Sequence, residues 1–179
     1  MRDLSRFLSL VLRHNPDKVN IKLDENGWVS VESLIHNLNR VGYSTNLSEL
    51  KDIVNSNDKK RFEFNESETN IRASQGHSVK VDLGYKPEVP PMNLFHGTIL
   101  SDLDSIYKTG LMKMKRHSVH LSHDLDTAFA VGSRRSGTTV MLGVESRRMH
   151  DDGYLFYKST NGVWLTDRVP SKYIYLHNI

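Results

Sequence analysis

Three of the five prolines in the chain, Pro87, Pro90 and Pro91, fall within one short stretch from Gly84 to Pro91. Such a stretch is stiff and cannot be helical, so it separates what lies on either side. The flanks differ in texture. Before it, apolar residues recur mostly at helical spacing; after it, short alternating runs dominate. The 179 residues are therefore read as a first lobe over 1–84, a Pro-rich linker over 85–91 and a second lobe over 92–179.

In the first lobe, Leu4, Phe7, Leu8, Val11 and Leu12 form one helix face, and Pro16 disfavours helical geometry at Asn15. Arg13 points away from that apolar stripe and His14 falls at its edge. Two cationic groups at a helix end either complement the dipole or serve a site. Ile21-Lys22-Leu23 alternates like a short strand before the turn Asp24–Gly27. Ser30 can cap a second helix carrying Val31, Leu34, Ile35 and Leu38 on one face. Asn46 and Glu49 form the capping box of a third helix, with Leu47, Leu50, Ile53 and Val54 as its stripe. A basic turn, Asn57-Asp58-Lys59-Lys60-Arg61, then opens a hairpin through Phe62, Phe64 and Ile71–Ala73. Three helices and a hairpin follow the order of a winged-helix domain. Val79, Val81 and Leu83 predict one further short strand.

The second lobe predicts a strand at Leu94–Thr98 and a helix capped by Ser101 and ended by Gly110. A short strand follows at Val119–Ser122, a small-residue helix at Asp126–Val131, and a strand at Thr138–Val144. Asn161-Gly162 signals a hairpin between Tyr154–Tyr157 and Val163–Leu165. Tyr173–Leu176 makes the last strand. The whole is α+β with a largely antiparallel sheet in the second lobe.

Composition removes several kinds of chemistry. Cysteine is absent, which excludes disulfides, thiol nucleophiles and Cys-type zinc sites. The net charge of +3 permits a polyanionic partner without demanding one. Arg2, Asp3, Arg6 and Arg13 interrupt any signal-peptide core, and no apolar run reaches the length of a membrane span. A cytoplasmic monomer with no membrane contact is the expectation. His117, His120 and His123 suggest a metal, but residues three apart on an extended chain face opposite ways, so no metal is expected. Neither a P-loop, nor a dinucleotide fingerprint, nor a nucleophile elbow is present.

The candidate site residues are cationic or small. His96-Gly97-Thr98 puts hydrogen-bonding side chains around a glycine at a strand end, where backbone can approach a ligand, or it is an ordinary turn. Arg61, Arg134 and Arg135 are solvated cations or parts of a phosphate clamp, since Arg keeps its charge and offers forked donors.

Six motifs occur in order: Leu12-Arg13-His14, Asn57-Asp58-Lys59-Lys60-Arg61-Phe62, Gln75-Gly76-His77-Ser78, Phe95-His96-Gly97-Thr98, Val119-His120-Leu121-Ser122 and Gly162-Val163-Trp164-Leu165-Thr166. Together they resemble the RNA 2′-phosphotransferase family, the NAD-dependent tRNA-splicing enzymes and their bacterial relatives, from Leu4 to about Pro170. The resemblance implies a winged-helix lobe followed by an ADP-ribosyltransferase-like lobe. It implies transfer of an internal 2′-phosphate from RNA to NAD, the co-substrate, through an ADP-ribosylated RNA phosphate. The products are nicotinamide, 2′-hydroxyl RNA and ADP-ribose 1″,2″-cyclic phosphate. The family's essential Arg-His-Arg-Arg set maps to Arg13, His14, Arg61 and either Arg134 or Arg135, with Arg135 preferred for its spacing ahead of the Val140 strand. The cofactor-contacting positions map to His96, Gly97, Thr98, His120 and Ser122. Val163 stands where many protein-modifying ADP-ribosyltransferases carry a glutamate. The implied partner is 2′-phosphorylated RNA, either tRNA-like or a short oligonucleotide, with Lys59 and Lys60 available to its backbone.

Overall fold

Helix α1 (Leu4–Arg13) buries Leu8, Val11 and Leu12 and begins where Asp3 Oδ1 accepts a hydrogen bond from Arg6 N at 3.1 Å. This computed structural model describes residues 3–177. As Pro16 requires, α1 ends at Arg13, and a 3-10 turn spans Pro16–Val19. The short strand β1 (Val29–Ser30) leads into α2 (Val31–Arg40), where Ser30 Oγ accepts from Ser33 N. Helix α3 (Leu47–Ser56) starts with Asn46 Oδ1 accepting from Glu49 N at 2.9 Å. Each cap satisfies an amide that the helix itself leaves unbonded.

Strands β2 (Phe62–Phe64) and β3 (Asn70–Ala73) follow. β3 is central, pairing antiparallel with β1 through Val29 opposite Ile71 and with β2 through Phe62 opposite Ala73. The core of this unit gathers Leu8, Leu12, Leu34, Leu38, Leu50, Phe62 and Ile71. Burying each such side chain contributes roughly 1.5–3 kcal/mol.

Two strand expectations fail here. Residues 21–23 form no ladder; Ile21 is buried because it enters the core, which produces the same alternation. Val79, Val81 and Leu83 likewise form no strand. That segment is fastened by Asp82 N donating to Glu25 O and by Arg72 Nη1 donating to Leu83 O.

A second unit begins at Tyr85. Its strands are β4 (Leu94–Ile99), β5 (Leu111–Met112), β6 (Val119–Leu121), β7 (Thr139–Val144), β8 (Tyr157–Lys158), β9 (Trp164–Thr166), β10 (Arg168–Val169) and β11 (Ile174–His177). Its helices are α4 (Leu103–Thr109), α5 (Leu125–Gly132) and α6 (Ser146–Asp151). Three antiparallel sheets result, ordered β11-β7-β4, β6-β9-β8 and β10-β5. Phe95 and Ser122 exchange both backbone hydrogen bonds, each 2.8 Å, and so join the first two sheets. The fold is α+β.

The Pro-rich segment read as a linker is secured to this second unit. Glu88 N donates to Phe156 O, Ser146 Oγ to Pro91 O, and Arg147 Nε to Pro90 O. Ser101 does not cap a helix, because a 3-10 turn over Leu100–Asp102 intervenes before α4. The 161–162 hairpin forms as expected, with Tyr157 opposite Leu165 and Gly162 at φ +82°. Among the described residues, no helix is long and apolar enough to cross a membrane.

Candidate active site

In the first unit, one five-residue segment leaving β3 touches three of the residues singled out, drawn from two separate motifs. Ser74 N donates to Arg61 O at 2.9 Å, fixing Arg61 at the entrance of β2. A Cβ on Gly76 would lie 3.4 Å from the Arg13 guanidinium, so the bare glycine backbone packs against that group. Ser78 N donates to Arg13 O, and Ser78 Oγ is 2.9 Å from His14 Nδ1. Arg13 and Arg61 are half-buried, whereas His14 is exposed. The Gln75-Gly76-His77-Ser78 motif thus acts as the brace for Arg13 and His14. The neighbouring turn is tight: Lys60 N donates to Asn57 O, with Lys60 at φ +43°.

In the second unit, His96 and His120 come together where the two sheets meet. His96 Nδ1 donates to the His120 carbonyl at 3.1 Å, since a carbonyl can only accept. Burial lowers the His96 pKa; the bond to His120 opposes this, and the nearby Arg135 charge adds to the lowering. His96 is therefore neutral at pH 7, with Nε2 as its unprotonated nitrogen. Arg116 Nη1 donates to His120 Nδ1 at 3.0 Å, so His120 carries its hydrogen on Nε2.

A folded chain that holds His96 neutral disfavours protonation that the unfolded chain accepts. This part of the stability is fully present above pH 6.5, the unperturbed value, and is lost as pH falls below it. Urea unfolding of wild type between pH 7 and about 5 should show that decline, and His96→Asn should flatten it. An unchanged slope in the variant would remove His96 as its origin.

Gly97 is occupied differently from the sequence reading, which gave it room for a ligand. A Cβ there would stand 2.0 Å from Ala128 O, and one on Gly132 would stand 2.7 Å from Gly97 C. The close approach at Gly97 is made by helix α5. Thr98 is buried with Oγ1 3.5 Å from Asp102 Oδ2. Ser122 is engaged through its backbone with Phe95. Arg134 and Arg135 follow α5, and Arg135 Nη1 donates to Asp102 Oδ2 while its side chain stays 58% exposed. Val163 lies in the hairpin turn, donating its amide to Ser159 Oγ.

Two residues escaped the sequence reading. Asp102 sits in a turn with no motif around it, and only its carboxylate beside Arg135 exposes it. Arg116 was lost in the run Lys113-Met114-Lys115-Arg116. Although the residue is largely solvent-accessible, desolvation lowers its pKa, which sets it apart from an ordinary surface cation. Three or more His, Asp or Glu side chains do not converge as a metal site among the described residues.

The comparisons with known proteins agree along the length of the chain. The family described as RNA 2'-phosphotransferase, Tpt1 / KptA family, matches residues 1–168. A protein of Fusobacterium nucleatum subsp. nucleatum is 49% identical over 171 residues, covering 96% of both chains. One from Flavobacterium johnsoniae is 51% identical over 173 residues, covering 97% of this chain and 94% of the relative. One from Nostoc punctiforme is 49% identical over 171 residues, covering 96% and 94%. All three carry the name "Probable RNA 2'-phosphotransferase". With the match running through both units and every motif that braces Arg13, His14 and Arg61, the chain belongs to the RNA 2'-phosphotransferase, Tpt1 / KptA family.

Proposed function

We propose that this chain is an NAD-dependent RNA 2′-phosphotransferase acting on internally 2′-phosphorylated RNA. The observation that carries the reading is the segment 74–78, which touches Arg13, His14 and Arg61 at once. NAD supplies the acceptor: its nicotinamide-bearing ribose carbon takes the RNA phosphate as nicotinamide leaves, and ADP-ribose 1″,2″-cyclic phosphate is the final product. The order α1-β1-α2-α3-β2-β3 supports a winged-helix reading of the first unit. The joined antiparallel sheets support an ADP-ribosyltransferase-like reading of the second.

Arg13 and Arg61 grip phosphate oxygens, orienting the nucleophile in the first step and holding charge on the oxygens in the second. His14, exposed and bonded to Ser78, donates to the phosphate or exchanges a proton with it. For the fourth cation, Arg116 suits the role better than Arg135, the sequence-based choice. The Arg135 charge is already met by a carboxylate, which would repel a dianionic phosphate, whereas Arg116 donates one N–H to the His120 ring and keeps its other donors. His96, Gly97, Thr98, His120 and Ser122 make up the proposed NAD site. A neutral His96 with an acceptor at Nε2 is chemically suited to a ribose hydroxyl. Val163 in place of a carboxylate is consistent with a nucleophile that is already ionised and needs no base.

Incubating the protein with NAD and an internally 2′-phosphorylated oligonucleotide should release nicotinamide and yield 2′-hydroxyl RNA. NAD consumption without dephosphorylation would mean another ADP-ribosyl acceptor. RNA binding with no nicotinamide released would mean a nucleic-acid binder. Either result overturns the proposal.

A further inference from the structure

At the carboxyl end of β4, three side chains form a set that the phosphate grip does not use. Asp102 Oδ2 receives Arg135 Nη1 and lies 3.5 Å from Thr98 Oγ1. Thr98 is buried, while the Asp102 and Arg135 side chains are 35% and 58% exposed. The ion pair is therefore anchored to the sheet at one end and open to solvent at the other. Asp102 contributes no side-chain cap to α4, although it occupies the cap position. Arg135 lies three residues beyond the end of α5, whose backbone is pressed against Gly97, and its charge reaches His96. The Asp102 carboxylate holds the guanidinium before any ligand arrives, within electrostatic reach of His96.

The pairing of charges narrows what could bind. A phosphate monoester carries close to two negative charges, and a carboxylate in contact with the receiving guanidinium works against it. A diphosphate bridge carries one charge on each phosphate and is repelled less. Adjoining ribose hydroxyls are donors that a carboxylate accepts. With one N–H used on Asp102, the guanidinium retains further donors for phosphate oxygens.

We propose that Arg135 binds the diphosphate of NAD and that Asp102 both positions Arg135 and accepts from a ribose hydroxyl of the same dinucleotide. The inference rests on the NAD-dependent reading above. It makes the Thr98–Asp102–Arg135 set a determinant of affinity for the ADP-ribosyl moiety, separate from the groups that hold RNA phosphate.

The test combines calorimetric titration of the full chain with ADP-ribose and steady-state kinetics against NAD and 2′-phosphorylated RNA. Arg135→Gln should raise the Kd for ADP-ribose and the KM for NAD by about 10- to 100-fold, the worth of hydrogen bonds to a charged group. Its kcat and its KM for RNA should stay near wild type. Arg135→Lys should recover part of the loss, because it keeps the charge without the fork. Asp102→Asn should weaken NAD by about tenfold at most, with kcat unaffected. Circular dichroism establishes folding, and if Arg135→Gln fails to fold, Arg135→Lys should still show several-fold weaker ADP-ribose binding. Wild-type ADP-ribose affinity in the Arg135 variants would overturn the proposal. A loss confined to RNA KM or kcat would also overturn it, returning Arg135 to the phosphate grip. A wild-type chain that neither binds ADP-ribose nor consumes NAD would instead sink the underlying functional reading.

Discussion

Arg61→Ala is expected to lower kcat for phosphate transfer by about 10²–10³-fold, the usual cost of removing one charge-stabilising donor. The fold should survive. Arg61 is tied to Ser74 through its carbonyl, and that bond does not involve the side chain. The side chain is only half-buried, so truncation opens no core cavity. If Arg61 merely bound RNA, KM would rise and kcat would hold; a residue that meets charge building on the phosphoryl oxygens lowers kcat. Arg61→Lys should also be impaired, because an ammonium lacks the rigid planar fork that presents parallel donors to two phosphate oxygens. Single-turnover rates with 2′-phosphorylated RNA and saturating NAD decide this, with thermal melts as the folding control. A wild-type rate in Arg61→Ala would remove the residue from the mechanism.

Gly97→Val is expected to destabilise the second unit by about 3 kcal/mol or more, at or above the usual range for overpacking. The reason is contact with main chain. Side chains can rotate away from an added methyl group, but Ala128 O, 2.0 Å from the new Cβ, belongs to the helix backbone. Either α5 lifts from β4 or the strand bends, and both disturb the ground beneath His96 and Thr98. Gly162→Ala is the informative comparison. Nothing lies within 4 Å of its Cβ position, and only its φ of +82° is unfavourable, so about 1–2 kcal/mol is expected. Denaturant titrations rank the two. Equal costs would mean that α5 and β4 are less tightly joined than the geometry indicates.

Local signals explain what could be read from the sequence. The Asn46 and Ser30 caps, the stop at Pro16 and the Asn161-Gly162 turn each depend on neighbours in the chain, and each appears in the structure. Strands of two residues such as β1, β5, β8 and β10 have too few positions for any periodicity and exist through their pairing partners. Ile21 shows how one buried residue can imitate a strand. Helix α6 is six residues of Ser, Arg, Met, His and Asp, with no apolar stripe to reveal it. At the site, motifs brought forward Arg13, His14, Arg61, His96 and His120. Asp102 and Arg116 came to light only through contacts that folding creates. At Gly97 the packing is equally invisible in the sequence: its missing side chain accommodates α5.

The two imidazoles of the second unit are fastened at the same nitrogen with opposite polarity: His96 gives its δ hydrogen to a carbonyl, and His120 receives at δ from Arg116. Rings held this way form no relay. A proton arriving at one would have to cross a peptide carbonyl to reach the other, and neither ring can turn over without breaking its anchor. The pair therefore forms rigid walls of fixed polarity, and no proton passes directly from one ring to the other.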